Sequence, residues 1–191
     1  MSQLSPSALS TCVREVVEFV DAAGWDQPPQ LFALVPTAEL LAEEPGLAGT
    51  LTADLELTPV AQDALPGASG DGPADGSPEL DAALAAILWP DGVAGCALVQ
   101  EVLILPPGAA AELDAMVTRS AADDRAAAER TAVEHAAAHP ERQEARLVAA
   151  VLRSGESLCL LQLRSATTPE LLEHAELAPN LVAALRVTFE A

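Results

Sequence analysis

Two apolar runs joined by a short polar link restrict the fold of this chain more than any other feature. Residues 146–152 and 158–164 are almost wholly apolar, and Ser154-Gly155-Glu156-Ser157 lies between them. Apolar runs of this length around a Gly-containing link are typical of a β-hairpin. The sequence therefore predicts an antiparallel strand pair within a sheet.

The turn also predicts a register for the hairpin. If Gly155-Glu156 forms a two-residue turn, Val151 lies opposite Leu160 and Leu147 lies opposite Arg164. Because side chains alternate along a strand, the opposite face then consists of Val148, Ala150, Leu152, Cys159, Leu161 and Leu163.

Helix starts are marked by a capping hydroxyl before a proline, at Ser5-Pro6, Ser77-Pro78 and Thr168-Pro169. With the apolar spacing, they predict helices over residues 6–23, 37–43, 78–88, from 169 onward, and 179–189. Residues 109–138 are rich in Ala and poor in large apolar residues. They predict weakly packed surface helices, the second starting at the capping box Ser120-Ala-Ala-Asp123.

Three further strands are predicted, at Leu31–Val35, Leu51–Pro59 and Ala94–Leu105. The last is apolar on both faces and belongs at the sheet centre. The element order favours an α+β fold: an antiparallel or mixed sheet of about five strands with helices packed on it, and C-terminal helices after the hairpin. A doubly wound α/β fold is the alternative, disfavoured because no Gly-rich strand-to-helix turn is present.

The length of 191 residues predicts a single domain over residues 1–191. Residues 63–76 are rich in Gly, Ala, Asp and Pro without a period, and they predict a flexible loop.

The formal net charge is −20, and no lysine is present. Met1–Thr118 holds 18 of the 29 acidic residues and only one of the nine arginines. Such a charge disfavours binding to nucleic acid and to anionic membranes. The charge either only keeps the protein soluble through self-repulsion or also attracts a basic partner.

The cysteines, Cys12, Cys96 and Cys159, are odd in number and lie among apolar neighbours, which predicts buried free thiols. The first arginine is at position 14, and neither a signal peptide nor an apolar run of membrane-spanning length is visible. We expect a cytoplasmic protein.

Two groups of residues are weak candidates for a polar site. Gln100 and Glu101 lie inside the central strand, where buried polar groups need partners, and Arg153 or Arg164 of the hairpin could supply a charge. A structural ion pair and a polar ligand pocket are both open readings.

His135 and His139 are four residues apart and share one helix face, as two metal ligands would. The adjacent Glu134 precedes His135, which is the wrong side for the His-Glu-x-x-His pattern, and a third ligand is not close in sequence. We therefore expect no metal and no cofactor.

Catalytic signatures are missing from the sequence. No phosphate-binding loop, nucleophile elbow or Cys-x-x-Cys motif occurs, and the absence of lysine and tyrosine removes their chemistry. No catalytic residue is assigned.

Residues 34–40, 88–97 and 179–186, read together with the hairpin, resemble an uncharacterised family of small acidic actinobacterial proteins. The resemblance covers most of the chain outside residues 63–76. That family has no assigned activity, so the resemblance implies no catalytic residue here.

The sequence thus favours a non-catalytic protein-binding module of the cytoplasm, with an unknown and basic protein partner. The alternative is an enzyme whose site is assembled from distant residues, with Glu101, His135, His139 and Cys159 as candidates. A convergent pocket of titrating groups would favour the enzyme. The oligomeric state is left open.

Overall fold

The computed structural model describes residues 4–51, 55–65, 78–121, 124–164, 171–174 and 177–190. Within these ranges, six antiparallel strands form one sheet in the order β2-β1-β3-β4-β5-β6. In chain order the strands are β1 (Gln30–Pro36), β2 (Leu57–Ala61), β3 (Gly95–Ile104), β4 (Gln143–Leu152), β5 (Ser157–Leu163) and β6 (Leu171–Glu173).

Helices pack on both faces of the sheet and project from one end of it. They are α1 (Ala8–Ala23), α2 (Thr37–Glu43), α3 (Pro78–Ala85), α4 (Pro107–Arg119), α5 (Arg125–Ala138) and α6 (Pro179–Val187), with a 3-10 helix at Pro45–Gly49. The predicted α+β class and the antiparallel sheet are confirmed, with one strand more than the five predicted.

An apolar layer lies on each face of the sheet. The first face is covered by α1, whose buried stripe is Leu9, Cys12, Val13, Val16, Val17 and Val20. The second face is covered by α3 and α6, through Leu80, Leu84, Leu181, Val182 and Leu185. Burying one such Val or Leu side chain contributes roughly 1.5–3 kcal/mol, so these stripes fix the layers.

β3 lies between β1 and β4, as its two-sided apolar pattern predicts. Cys96 and Leu98 belong to the core of the second face, and Ala97 and Val99 to that of the first. At Gly95 the β3 and β4 backbones approach so closely that an added Cβ would lie 2.4 Å from the Val151 carbonyl oxygen.

The hairpin forms, but the predicted register is wrong. Val151 lies opposite Ser157 rather than Leu160, a shift of three residues. The Leu152 N–H donates to the Glu156 carbonyl at 2.8 Å and closes a three-residue loop, with Gly155 at a φ of +99°. Because the shift is odd, the side chains of β5 change faces relative to β4.

As a result, Cys159 and Leu161 lie on the second face with Leu147 and Ala149. Gln162 lies on the first face, opposite Arg146. This exchange decides which polar groups meet beneath α1.

The strand predicted at Leu51–Pro59 is displaced toward the C-terminus. The Leu51 N–H donates to the Leu47 carbonyl at 3.0 Å, which extends the turn of the 3-10 helix, and residues 52–54 lie outside the described ranges. Pairing with β1 begins at Leu57, opposite Pro36.

The predicted helix from Pro169 is wrong at Leu171–Glu173, which form β6 on the open edge of β5. Thr168-Pro169 itself lies outside the described ranges. A segment that lies beside an unpaired strand edge can form backbone hydrogen bonds with it. Here these bonds stabilise a strand although the local sequence favours a helix.

Helices α4 and α5 form a helical hairpin that contacts the rest of the chain little. None of the side chains of α4 is buried, and the described ones of α5 are exposed or half-buried, so the predicted surface location is confirmed. Ser120 does not start the second helix: its Oγ donates to the Met116 carbonyl at 3.0 Å, and α5 begins after Asp124.

The predicted loop of residues 63–76 lies outside the described residues from position 66 onward. Its beginning is anchored, since Leu65 is buried in the core of the second face.

Candidate functional site

Arg146 is the centre of a polar cluster on the first face, at the end of the sheet where α1 stops. Its side chain is 1% exposed. The guanidinium donates to the Gly24 carbonyl at 2.6 Å, to Gln162 Oε1 at 3.0 Å and to Asp21 Oδ1 at 3.4 Å. Its carbon lies 4.4 Å from the centroid of the Trp25 ring. The cluster therefore binds the C-terminal end of α1 to the sheet.

Glu101 belongs to this cluster. Its Oε1 lies 3.8 Å from Arg146 Nη2 and accepts the Gln27 N–H at 3.2 Å. The charge beside Glu101 thus comes from Arg146, and neither Arg153 nor Arg164 supplies it.

Arg164 lies next to the cluster on its exposed side. It pairs with both carboxylate oxygens of Asp26, at 2.9 and 3.1 Å, and with Glu144 at 2.8 Å. The hydrogen bond from Arg164 lowers the pKa of Asp26. Trp25 is held between this guanidinium, 5.2 Å from its ring, and that of Arg146.

Gln100 points away from this cluster, into the second face. It is 3% exposed, and neither its Oε1 nor its Nε2 has a hydrogen-bond partner within the described part of the chain. An unsatisfied buried amide lowers stability by roughly 1–3 kcal/mol.

Replacing Gln100 with methionine is therefore expected to stabilise the protein. Methionine fills nearly the same volume without polar atoms to desolvate, so the free energy of unfolding should rise by about 1–3 kcal/mol. Urea denaturation of both proteins measures this difference.

Gln162→Met is the matched control, because Gln162 is also 3% exposed but bonds to Arg146 and Asp21. The same substitution should destabilise there. A Gln100→Met variant as unstable as Gln162→Met would show that the Gln100 amide has partners in solution.

His135 lies on α5, away from these groups, and His139 is the residue directly after that helix, with an extended backbone. The prediction that the two histidines lie within one helix is therefore wrong for His139. His135 is exposed, and His139 Nδ1 accepts the Glu141 N–H at 3.2 Å. No group of three His, Cys, Asp or Glu residues that could hold a metal ion occurs in the ranges that the structure describes.

All three cysteines are buried and outside any disulfide, as predicted. Burial raises the pKa of Cys12 to about 12, with a smaller contribution from the charge of Glu15. Burial also raises the pKa of Cys96 to about 12, against the effect of its contact with Thr188. Thiols with such pKa values are not nucleophiles at neutral pH.

A cleft of about 640 Å³ lies at the opposite end of the sheet, where β1 ends and β3 begins. Five segments contribute to it: Leu4 before α1, residues from 36–41 with the start of α2, residues 55–56 before β2, residues 91–94 before β3, and residues from 152–156 of the hairpin turn. Adjacent strand ends and their loops converge here because β1, β3 and β4 are neighbours in the sheet.

The floor of the cleft is apolar and tied to the core. Val93 and Leu152 are buried, and Leu4 and Ala94 pack against the core of the first face. Two further leucines, Leu41 and Leu55, line the cleft half-buried.

The rim of the cleft is acidic. Glu39, Asp91 and Glu156 are exposed, and their carboxylates have no hydrogen bond or ion pair with any described residue. Glu56 differs, since its Oε2 accepts the Ser5 N–H at 2.8 Å and hydrogen bonds from Ser5 lower its pKa.

Arg153 is the one cation among the residues lining this described cleft, and three of its five N–H donors are used by backbone carbonyls. Its Nε donates to the Val93 carbonyl at 2.9 Å, and Nη2 donates to those of Trp89 and Pro90 at 3.1 and 3.0 Å. The guanidinium also lies 4.7 Å from the centroid of the Phe189 ring. Arg153 thus fixes the wall of the cleft and forms no ion pair with its carboxylates.

No sequence pattern identifies Glu39, Asp91 or Glu156 as site residues. A signal was nevertheless present, because residues 34–40, residues 88–97 and the hairpin carry the family resemblance, and all three contribute to the cleft. The candidate residues that were singled out are dispersed: Glu101 and Arg164 lie at one end of the sheet, Arg153 at the other, and the histidines on α5 and directly after it.

Fold and cleft together define the class: an α+β protein with a six-stranded antiparallel sheet in its described part and an acidic cleft at one sheet end. The chain belongs to the PPA1309-like protein family, whose model matches residues 9–190. This match confirms the resemblance to an uncharacterised family. No curated protein and no solved structure matches the chain.

No helix in the described ranges is both long enough and apolar enough to cross a membrane.

Proposed function

We propose that the protein is a non-catalytic protein-binding module of the cytoplasm, and that a basic protein partner docks at the acidic cleft. One observation carries the proposal: an apolar cleft of about 640 Å³ whose rim carboxylates have no cation paired with them among the described residues. Complementary charge on a partner would steer its approach and orient it.

The dispersion of the titrating groups favours binding over catalysis. Glu101 is occupied in an ion pair, Cys159 is buried in the sheet, and His135 is exposed on α5. General acid–base or nucleophilic catalysis needs such groups within hydrogen-bond reach of one substrate. Three buried thiols outside any disulfide suit the reducing cytoplasm.

Association with the partner is expected to be faster at low salt. The partner is first recovered by affinity capture and identified by mass spectrometry, and its kinetics are then measured across a salt series. Screening acts over about 10 Å at 0.1 M salt, so the association rate should fall several-fold between low and moderate salt, with dissociation less affected.

Two variants of equal net charge test whether the cleft causes the salt dependence of the association rate. The cleft variant carries Glu39→Gln, Asp91→Asn and Glu156→Gln, and the matched control neutralises three exposed acids of the helical hairpin: Glu112→Gln, Asp114→Asn and Glu134→Gln. The proposal expects the cleft variant to lose most of the salt dependence and the control to retain it. Association that is flat in salt, or equal losses in both variants, would refute it.

A further inference from the structure

The size of the cleft limits what can occupy it. Binding sites of roughly 300–1,000 Å³ enclose a ligand of a few side chains, whereas a standard protein interface covers about 800 Å² on each partner. At about 640 Å³, this cleft accepts one short segment of a partner and not a whole protein surface.

The floor of the cleft requires an apolar contact. Leu4, Leu41 and Leu55 are half-buried beside Val93 and Leu152, so an aliphatic side chain would remove further apolar surface from water there. A purely polar occupant would leave this surface without a contact.

The rim requires a cation that can reach separate acceptors. Glu39 lies in the first turn of α2, Asp91 precedes β3, and Glu156 belongs to the hairpin turn. Glu39 Oε2 lies 3.9 Å from the position of a Cβ on Gly92, which places it beside the Asp91-Gly92 backbone. No three acids of the described chain are grouped closely enough for a metal ion.

An arginine side chain meets both requirements. Its guanidinium has five N–H donors in a planar fork that can serve more than one carboxylate, and its aliphatic stem can lie along an apolar wall. Arg153 of the chain itself does not fill this role: its Nε and Nη2 bond to the carbonyls of Val93, Trp89 and Pro90, and it forms no ion pair with a described carboxylate.

We infer that the cleft binds an extended segment of the partner protein in which an arginine is flanked by an aliphatic residue, the arginine bonding to Asp91, Glu156 or Glu39 and the aliphatic side chain lying on the leucine floor. The inference rests on the proposed function and specifies the partner segment that the same cleft would recognise.

Short peptides and the full-length protein test the inference directly. The probe is the capped tripeptide acetyl-Leu-Arg-Leu-amide, titrated while amide chemical shifts are recorded by NMR. We expect saturable shifts at residues of the cleft, including Glu39, Gly92 and Glu156, and not on α5. The same peptide with citrulline, a neutral isostere of arginine, should bind about tenfold more weakly, since two charge-assisted hydrogen bonds lose their charge.

Two further comparisons separate the charge from the apolar contact. Acetyl-Gly-Arg-Gly-amide should also bind several-fold more weakly, because it leaves the floor uncovered. The cleft variant with Glu39→Gln, Asp91→Asn and Glu156→Gln should lose affinity for the arginine peptide, and the α4–α5 control variant should retain it. All six substituted acids are exposed, so both variants should keep the melting temperature of the unaltered protein.

Several results would overturn the inference: shifts that do not saturate, equal affinity for the arginine and citrulline peptides, or equal affinity for the Leu-flanked and Gly-flanked peptides. Tighter saturable binding of spermidine than of any peptide would overturn it in favour of a small polyamine. If the peptides fail while the captured partner still loses binding to the cleft variant, the proposed function stands and only this segment chemistry is wrong. If both fail, the proposed function fails as well.

Discussion

Replacing Gly95 with alanine is expected to destabilise the protein by about 3 kcal/mol or more, which corresponds to a melting temperature lower by about 6–12 °C for a chain of this size. An added Cβ would lie 2.4 Å from the Val151 carbonyl oxygen and 2.6 Å from Leu152 Cδ2. The first of these atoms belongs to the backbone of β4, so β3 and β4 would have to separate at the centre of the sheet. Thermal unfolding followed by circular dichroism measures the change.

Gly108→Ala is the control for this substitution. Gly108 lies near the start of α4, and no atom lies within 4 Å of the position of its Cβ. Alanine in a helix should there be neutral or slightly stabilising. A Gly95→Ala variant that melts within a degree of Gly108→Ala would mean that the two strands do not approach each other so closely.

Replacing Arg146 with methionine is expected to lower the free energy of unfolding by about 2–4 kcal/mol, because the buried groups that bond to its guanidinium are left without their charged donor. Methionine fills the space of the stem, but the Gly24 carbonyl and Gln162 Oε1 lose a donor and Trp25 loses its cation. Arg146→Lys should recover only part of the loss, since an ammonium lacks the planar fork. Urea denaturation with intrinsic tryptophan fluorescence measures both the stability and the surroundings of Trp25.

Arg164→Met provides the comparison for Arg146, since Arg164 is near the same Trp25 ring but pairs with the exposed Asp26. Pairs in solvent contribute little, so its loss should be much the smaller of the two. Equal effects at the two positions would show that the Arg146 guanidinium is solvated and not buried.

Local sequence patterns predicted those elements that local forces determine. The apolar stripe of α1 was predictable because its spacing has the helical period, and β3 and the strand at Leu31–Val35 were predictable as short apolar runs bounded by turn-forming residues. The hairpin was predictable as a pair of strands but not in its register. The length of its loop depends on the hydrogen bond from Leu152 to Glu156, and no residue in the link requires that bond.

The polar cluster and the cleft depend on contacts between distant segments. Arg146 begins the predicted strand, and nothing in its sequence context indicates that it is buried. Its burial is possible because the Gly24 carbonyl and Gln162, from other segments, accept its hydrogen bonds. Glu39, Asp91 and Glu156 are ordinary surface acids in the sequence. They share a cleft only because β1 and β4 end, and β3 begins, at the same end of the sheet.

The helical hairpin affects how this sheet can assemble. Residues 105–142 separate β3 from β4 in sequence, yet Ile104 lies directly opposite Gln143 in the ladder. Closing a long disordered segment slows the pairing of distant strands. Here the intervening chain can first fold locally as α4 and α5, and this brings the two strand ends together before they pair. We therefore expect the central strand pair to form faster than a disordered connection of the same length would allow, so that a surface helix pair with no buried side chain in α4 can still matter for the core.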